Sequence, residues 1–324
     1  MTYSIGYLLL ALCPAALIAA PLALKVGYDS WVGHVGVFVA AEKGFFDQQG
    51  VHVDLHAFSG PADTIPPAVA GDLDVALTTP ETVLSVDARQ RADLINVAMI
   101  DLSTGADAIV VRNDTHDVAG LRGKTIAVTF GQCNELLLLE ALATVGLKET
   151  DVTLVNMDGD TSGAAFVAGR LDAAVTWEPW VSQVTSTGKG HVVFSTRDVP
   201  DVIFDSVAVT RRFAAAHPDR IEAFLRGLDA GVSYLRSHPA ESQMIVARKL
   251  SVAPAEVAVM LKGVTVYDLK DNLTLFGTSA QPGRIYAAMD KVARFQVEHH
   301  LYATRVASSA ILAPIYLMQA ARSR

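Results

Sequence analysis

Carboxylates, hydroxyls and tryptophans follow the predicted strands of this chain at their carboxyl ends. Ligands of open α/β sheets bind at those ends, so these side chains are candidates for a binding cleft. The residues that we expect to contact a ligand are Trp31, His34, Ser59, Asp63, Thr79, Glu81, Ser103, Asp107, Gln132, Thr161, Trp177, Glu178 and Asp205. This set contains several carboxylates and neither lysine nor arginine.

Such a set favours a ligand that is positively charged or rich in N–H groups. Carboxylates form charge-assisted hydrogen bonds with such a ligand, and Trp31 and Trp177 offer cation–π contacts of ~0.5–2 kcal/mol. Helix N-terminal amides near Gln132 could hold nitrate or a sulfonate, but the carboxylates would repel it. We predict an amine, amidine, guanidinium, urea-like or aminopyrimidine solute. A zwitterion such as an aminosulfonate stays open.

Some of these residues also fit structural roles. Asp63 and Glu81 fall in first helical turns, where acidic side chains cap free amides. Trp177 and Trp180 share a helical face, so we expect one of them in the core and assign Trp177 to the cleft. Cys133 is interpreted as a small buried apolar residue rather than as a reactive thiol.

The chain carries no recognisable catalytic or metal-binding motif. It has neither a Gly-x-Ser-x-Gly elbow nor a glycine-rich phosphate loop. His52, Asp54 and His56 would share one face of a strand, but this alternation is typical of a strand with one wet side. We therefore predict no catalysis, no cofactor and no metal.

A repeated segment indicates how the candidate residues are positioned. Val69–Thr78 and Val167–Thr176 are identical at seven of ten positions. Each reads as a helix ending at glycine, a turn with aspartate and a short strand. Two copies of this unit predict two α/β lobes that face one cleft.

The rest of the chain fits this arrangement. Strands and helices alternate up to about residue 210, which predicts α/β layers with largely parallel sheets, and the chain is mostly helical beyond. The predicted elements include helices over residues 34–46 and 239–250, strands over residues 51–57 and 203–210, and a docking helix in the apolar run over residues 306–321. The apolar connectors Asp107–Arg112 and Ile203–Thr210 flank the second cycle and predict two crossovers that form a hinge. We assign residues 24–108 and 205–324 to lobe one, and residues 109–204 to lobe two.

Composition limits the partners of the protein. The 324 residues are 51% hydrophobic, and the formal net charge is −8. This length and composition allow two cores, and the negative charge argues against binding to nucleic acid or to an anionic membrane surface.

The N-terminus indicates export. Residues 1–23 read as a signal peptide because Leu8–Ala20 is apolar but too short to span a bilayer comfortably. The segment before this run contains neither lysine nor arginine, unlike most signal peptides. A lipid anchor at Cys13 would need a small preceding residue, and Leu12 stands there instead.

Several segments together resemble a known family. They are Val39–Phe46, Leu121–Ala127, Gly146-Leu147, Val167–Thr176 and Trp177–Trp180. They are similar to the periplasmic substrate-binding proteins of ABC importers, in the nitrate/sulfonate/taurine group that includes thiamine-pyrimidine binders. The resemblance implies a two-lobed type II flytrap, a small-molecule solute, a membrane permease as partner, a monomer and a periplasmic location.

The resemblance leaves the ligand and two other function classes open. Some enzymes share this fold, so an enzyme acting on a pyrimidine precursor or a small carboxylate is the alternative. An effector-sensing domain of a regulator is disfavoured because the chain has no DNA-binding segment and carries the leader.

Overall fold

The computed structural model describes residues 22–90, 93–299 and 302–322, and no side chain is described for residues 22 and 87–90. The predicted leader lies outside these ranges except for its last two residues, and so does Cys13. The fold is α/β with two sheets, as predicted. Each sheet is covered by helices, and between the sheets lie the carboxyl ends of their parallel strands.

The strands of the described residues are β1 (Leu22–Tyr28), β2 (Val51–Ala57), β3 (Val75–Thr78), β4 (Leu94–Ser103), β5 (Asp107–Val111), β6 (Thr125–Val128), β7 (Thr153–Asn156), β8 (Ala173–Trp177), β9 (His191–Ser195), β10 (Phe204–Thr210) and β11 (Val264–Val266). The first sheet has the order β11-β4-β10-β3-β1-β2, and the second has the order β7-β6-β8-β5-β9.

The helices of the described residues are α1 (Val35–Glu42), α2 (Phe45–Gln48), α3 (Ile65–Ala70), α4 (Pro80–Gln90), α5 (Cys133–Thr144), α6 (Gly159–Val167), α7 (Trp180–Ser186), α8 (Arg211–Ala216), α9 (Pro218–Ser237), α10 (Pro239–Leu250), α11 (Pro254–Met260), α12 (Leu269–Phe276), α13 (Arg284–Glu298), α14 (Ser308–Ile311) and α15 (Ile315–Arg322). The helix predicted over residues 34–46 is broken at Gly44, which has a φ of +68°.

The repeated segments occupy equivalent places in the two sheets. Gly71 and Gly169 follow α3 and α6 in the left-handed region, with φ of +88° and +85°, which glycine adopts without steric cost. β3 then lies between β1 and β10, and β8 lies between β6 and β5. In each sheet the repeated strand is parallel to one neighbour and antiparallel to the other. The repeat is therefore one structural unit built twice.

The antiparallel neighbour of each repeated strand arrives from the other sheet. The chain passes from β4 to β5 through residues 104–106, and it returns from β9 to β10 through residues 196–203. Both connectors are thus strands of the sheet that the chain enters, as predicted for Ile203–Thr210 but not for Asp107–Arg112. Their apolar character reflects burial, since β5 is buried along its whole length and β10 at every residue except Thr210.

The two crossings contact each other. Ser103 Oγ lies 2.8 Å from Thr196 Oγ1, and the Gly105 amide donates to the same Thr196 oxygen over 2.7 Å. The Asp107 amide in turn donates to Ser103 Oγ over 3.1 Å. These hydrogen bonds join both connections between the sheets at one place.

Residues beyond 210 complete the first sheet and its helical cover. β11 adds to β4 at the edge of the sheet, and α12 follows it; the sequence patterns predicted neither element. The C-terminal apolar run was predicted as a docking helix. It forms α14 and α15 on either side of Pro314, and Leu317 of α15 is fully buried.

Candidate functional site

A small cavity lies where the parallel strands of the two sheets end. Its polar lining comes from Asp29 after β1, Thr79 after β3, Asp107 at the start of β5 and Asp205 in β10. Trp31, Pro61, Cys133, Trp177 and Ile203 complete the walls. Its volume is about 20 Å³. We call it the inner cavity; residues of both sheets line it, so a group bound there would contact both.

Six buried carboxylates lie in or near the inner cavity, and we call them the acidic cluster. They are Asp29, Glu81, Asp101, Asp107, Glu178 and Asp205. Within the described part of the chain, none of them forms an ion pair with lysine or arginine. A concentration of carboxylates without cations disfavours their charged forms.

The protonation of the acidic cluster reflects this environment. Burial raises the pKa of Glu81 and of Asp107 to about 7, and repulsion from Asp107 and Glu178, respectively, adds to the effect. Burial raises the pKa of Asp101 and Asp205 well above its usual range, with further repulsion between these two groups and their neighbours. Burial also raises the pKa of Asp29. Part of the cluster is therefore protonated near neutral pH.

His34 is the imidazole within the cluster, and it is fully buried. Its Nδ1 lies 3.6 Å from Asp29 Oδ1, and its Nε2 lies 3.7 Å from Asp205 Oδ1. Burial lowers the pKa of His34 below its usual value despite these carboxylates. Since the ring is mostly neutral at pH 7, His34 does not balance the negative charge.

Three oxygens of the cluster are buried without a hydrogen-bond partner in the described structure. They are both carboxylate oxygens of Glu81 and Oδ2 of Asp107. Thr79, Cys133 and the Glu81 amide lie near enough to Glu81 to lower its pKa, but none of them reaches hydrogen-bond geometry. Buried polar groups in folded proteins are nearly always satisfied, so the Asp107 oxygen, whose residue lines the inner cavity, is an available acceptor for an N–H donor of a ligand.

The two tryptophans of the inner cavity are held by carboxylates. Trp31 Nε1 donates to both oxygens of Asp101, over 3.2 and 3.1 Å. Trp177 Nε1 donates to Asp160 Oδ1 over 3.0 Å, and Trp180 Nε1 donates to the same oxygen over 2.8 Å. Fixed indole rings beside carboxylates suit a cationic ligand.

A second, larger cavity adjoins the first, and we call it the outer cavity. Its volume is about 360 Å³, and it shares Pro61 and Trp177 with the inner cavity. One wall comes from the segment after β2 and the other from the ends of β6 and β7. Its full lining is Gly60, Pro61, Ala62, Asp63, Thr129, Gln132, Asn156, Met157, Asp158 and Trp177.

The structure places the thirteen predicted residues in four groups. Trp31, Thr79, Asp107, Trp177 and Asp205 line the inner cavity, Asp63 and Gln132 line the outer cavity, His34, Glu81, Glu178 and Ser103 are buried around them, and Ser59 and Thr161 are exposed and line neither. The exposed pair follows the strand-end rule in sequence, but the turns point these residues to solvent.

Glu178 already has partners within the protein. Its Oε2 accepts from the Ser182 amide over 2.9 Å, and its Oε1 accepts from Ser182 Oγ over 2.8 Å. These bonds satisfy the start of α7, so the described structure gives Glu178 a capping role.

Sequence analysis missed Asp160. Its Oδ2 accepts from Ser30 Oγ over 2.7 Å, so this one carboxylate connects the loop after β1 to Trp177 and Trp180. In the sequence Asp160 is an ordinary acidic residue in the first turn of a helix, and only the three-dimensional contact reveals its partners.

Cys133 is buried at the first residue of α5, as the sequence predicted. A helix N-terminus lowers a thiol pKa, but here burial, with repulsion from Glu81 and Asp107, raises the pKa of Cys133 well above its usual value. The thiol is therefore a wall of the inner cavity and not an activated nucleophile.

The described residues contain neither a membrane-spanning helix nor a metal-binding group. None of their helices combines the length and the apolar character needed to cross a membrane. None of their histidine, cysteine and carboxylate side chains form a group of three or more that could hold a metal ion.

Sequence relatives are named as binding proteins. A putative binding protein of Brucella abortus (strain 2308) is 26% identical over 260 residues, which cover 79% of this chain and 80% of the relative. The taurine-binding periplasmic protein of Escherichia coli (strain K12) is 27% identical over 267 residues, covering 80% and 82% of the two chains.

Solved structures share the fold. The alkanesulfonate-binding protein SsuA of Xanthomonas axonopodis pv. citri superposes with a TM-score of 0.77 at 24% identity, covering 91% of this chain and all of that one (100%). The desulfurization enzyme DSZB superposes with a TM-score of 0.69 at 18% identity, covering 94% of this chain and 100% of the enzyme. At these identities the likeness concerns the fold, which binding proteins and an enzyme share.

The family assignment comes from the sequence itself. Residues 31–242 match the family described as NMT1/THI5 like. This stretch extends from Trp31 of the inner cavity to the start of α10, and it includes the whole acidic cluster except Asp29. The chain belongs to the NMT1/THI5-like family.

Proposed function

We propose that this protein is the exported solute-binding component of an ABC importer and that it captures a small cationic or N–H-rich solute. The solute binds in the inner cavity between the two sheets and is then delivered to a membrane permease. The names of the sequence relatives support a periplasmic binding role. The fold of the alkanesulfonate-binding protein supports a cleft between two lobes.

The acidic cluster carries the proposal for the ligand class. Asp107 lines the inner cavity and has one buried oxygen without a hydrogen-bond partner, and Glu81 is buried beside the cavity with two. No lysine or arginine of the described residues lines the inner cavity. An N–H-rich cation donates to the free Asp107 oxygen and stabilises the charged forms of the cluster, whereas nitrate or a sulfonate offers no donor and disfavours those charged forms. Amines, amidines, guanidinium groups, urea-like molecules and aminopyrimidines meet this requirement.

Closure of the two lobes around the solute follows because residues of both sheets line the inner cavity. Asp29 and Asp205 belong to the first sheet and its loops, whereas Asp107 and Trp177 belong to the second. A solute that contacts both sets stabilises the closed state, because only that state offers both sets at once. The crossings beside Ser103 and Thr196 are the place where the chain bends.

A binding role without catalysis is the simplest function for this site. The buried thiol has a raised pKa, and no metal-binding group occurs within the described residues. The shared fold of the desulfurization enzyme makes a direct check necessary: the bound solute should be recovered chemically unchanged after incubation with the protein.

Thermal shift measurements test the ligand class. Methylguanidine, ethylamine, urea and 4-amino-2-methylpyrimidine are compared with nitrate, ethanesulfonate and taurine. A ligand at a hundredfold excess over its Kd stabilises the folded state by about 2.7 kcal/mol, which gives a measurable rise in Tm. We expect the rise with the first set. A rise with nitrate or ethanesulfonate alone would contradict the proposed ligand class.

Matched variants test whether the ligand-induced rise in Tm depends on the acidic cluster. Asp107→Asn and Asp205→Asn remove a charge within the inner cavity and should abolish the shift. Asp72→Asn removes a charge from an exposed turn and should leave it unchanged. Equal shifts in all three variants would place the solute outside the inner cavity.

A further inference from the structure

The outer cavity differs from the inner cavity in size and in chemistry. It has a volume of about 360 Å³ against about 20 Å³, and Pro61 and Trp177 form the boundary that both share. The inner cavity has room for one or two waters or a compact head group. A solute longer than such a group must therefore extend past Trp177 into the outer cavity.

We infer that the outer cavity is a second subsite, which holds the far end of an elongated solute and selects an end without negative charge. This inference rests on the proposed function, because the inner cavity must hold the cationic end. The outer subsite then selects among cations according to their length and to the charge at their far end.

The polar lining of the outer cavity argues against an anionic end. Asp63 and Asp158 both line it, and no lysine or arginine among the described residues does. Asp63 is exposed, whereas Asp158 uses Oδ1 to accept from the Thr161 amide over 2.8 Å at the start of α6. A carboxylate or sulfonate brought between these two aspartates would meet like charge.

The helix α5, which begins beside the outer cavity, does not make this cavity favourable for an anion. The N-terminus of α5 would attract an anion through its free amides and its dipole. Glu135 lies in the first turn, and its Oε2 accepts from the Gly131 amide over 2.6 Å. The carboxylate of Glu135 therefore already lies at this helix N-terminus, where it disfavours an anionic ligand.

Neutral hydrogen-bonding groups supply the rest of the lining. Asn156 Oδ1 accepts from the Phe130 amide over 3.0 Å, which fixes the orientation of this side chain. Gln132 stands at the N-cap of α5 without a capping hydrogen bond from its side chain. These groups suit a neutral polar or an amine-bearing end, and they make zwitterions such as aminosulfonates poor ligands.

Three guanidines of graded length and charge test the subsite by isothermal titration calorimetry. Methylguanidine has the head alone, 4-aminobutylguanidine adds a cationic end, and 4-guanidinobutyrate adds an anionic end. We expect 4-aminobutylguanidine to bind at least tenfold tighter than both others. Equal affinity for methylguanidine and 4-aminobutylguanidine would overturn the subsite, and equal affinity for the two longer guanidines would overturn its charge selectivity.

Variants of the outer cavity separate the subsite from the inner cavity. Gln132→Trp fills the outer cavity and should weaken 4-aminobutylguanidine at least tenfold while leaving methylguanidine within twofold. Asp63→Asn should reduce the preference for the amine end over the carboxylate end, and Asp72→Asn is its matched control. Unchanged binding of 4-aminobutylguanidine by Gln132→Trp would contradict the inference.

The two proposals fail in different ways. If the unmodified protein binds none of the three guanidines and none of the amines, the cationic ligand class is wrong, and the outer subsite falls with it. If methylguanidine binds and the two longer guanidines bind with the same affinity as methylguanidine, only the outer subsite is wrong.

Discussion

Ser30 Oγ lies 2.7 Å from Asp160 Oδ2, and this hydrogen bond joins the loop after β1 to the first turn of α6. Ser30 follows a strand of the first sheet, and Asp160 lies in a helix that packs on the second sheet. The two residues are 130 positions apart in the chain. Asp160 also accepts from Trp177, so the same carboxylate links the loop after β1 to a wall residue of the inner cavity.

Removal of this hydrogen bond should weaken ligand binding. A typical hydrogen bond contributes about 0.5–1.5 kcal/mol, so Ser30→Ala should lower affinity roughly three- to tenfold by favouring the open state. Titration calorimetry measures the affinity, and small-angle X-ray scattering of the ligand-free protein measures the degree of opening. Ser186→Ala, on the exposed end of α7, is the control. An unchanged affinity with Ser30→Ala would contradict a role in closure.

The acidic cluster should make stability fall as pH rises. The folded-state pKa of Glu81 is about 7, above the unfolded value near 4.3, so the folded state binds more protons between these values. Its stabilising contribution is complete below the unfolded pKa and is lost as pH rises through about 7. His34 has a lowered pKa and acts in the opposite direction below pH ~6.5.

Urea unfolding at pH 6.5 and pH 8 isolates the carboxylate effect. We expect the ligand-free protein to lose stability over this interval, with about 1 kcal/mol of the loss due to Glu81. Glu81→Gln should lose correspondingly less, because glutamine does not titrate. Identical losses in both proteins would show that Glu81 does not titrate in this range.

Gly159 leaves room for the indole of Trp177. A Cβ atom at this glycine would lie 2.3 Å from Cζ3 of Trp177, so Gly159→Ala must displace the ring. We expect a loss of about 1–3 kcal/mol in the free energy of unfolding and at least a tenfold loss of affinity. Trp177→Leu removes the ring and so tests whether contact with Trp177 causes these losses.

A double-mutant cycle assigns the effect to the pair. In the Trp177→Leu background the ring is absent, so Gly159→Ala should cost much less stability than in the unmodified protein. Chemical unfolding of the four proteins gives the coupling free energy. Equal costs in both backgrounds would attribute the effect to the helix backbone instead.

Glu178→Gln distinguishes capping from ligand contact. Both oxygens of Glu178 accept hydrogen bonds from Ser182, so the substitution should cost about 1 kcal/mol of stability by weakening the start of α7. The loss of affinity should be smaller than that of Asp107→Asn, measured by titration calorimetry under the same conditions. An equal loss would mean that Glu178 contacts the solute directly.

Much of the fold could be predicted because periodicity and turn residues mark the elements locally. The strand over Val51–Ala57 and the helix over Pro239–Leu250 match their predicted bounds. β11 could not be predicted, since three residues carry no periodic pattern and pair with β4 only after the chain has folded. The role of the segments from Asp107 and Ile203 depended likewise on long-range pairing.

The candidate site was predictable where topology alone brings residues together. The strand-end rule led to Asp107 and Trp177, and the predicted return connector led to Asp205; all three line the inner cavity. The rule does not say which way a turn points its side chains, so it also included Ser59, which is exposed. It could not identify Asp160, whose partners Ser30, Trp177 and Trp180 come from two segments far apart in the sequence.

The duplicated unit of β3 and β8 makes the site modular. Both strands are flanked in the same way within their sheets, and each leads to residues that line the inner cavity: Thr79 directly after β3, and Trp177 at the end of β8. The strands supply a common framework, while the residues at their ends differ between the two copies. Redesign of the recognised solute can therefore be attempted by replacing a few residues at each strand end, with both cores left untouched.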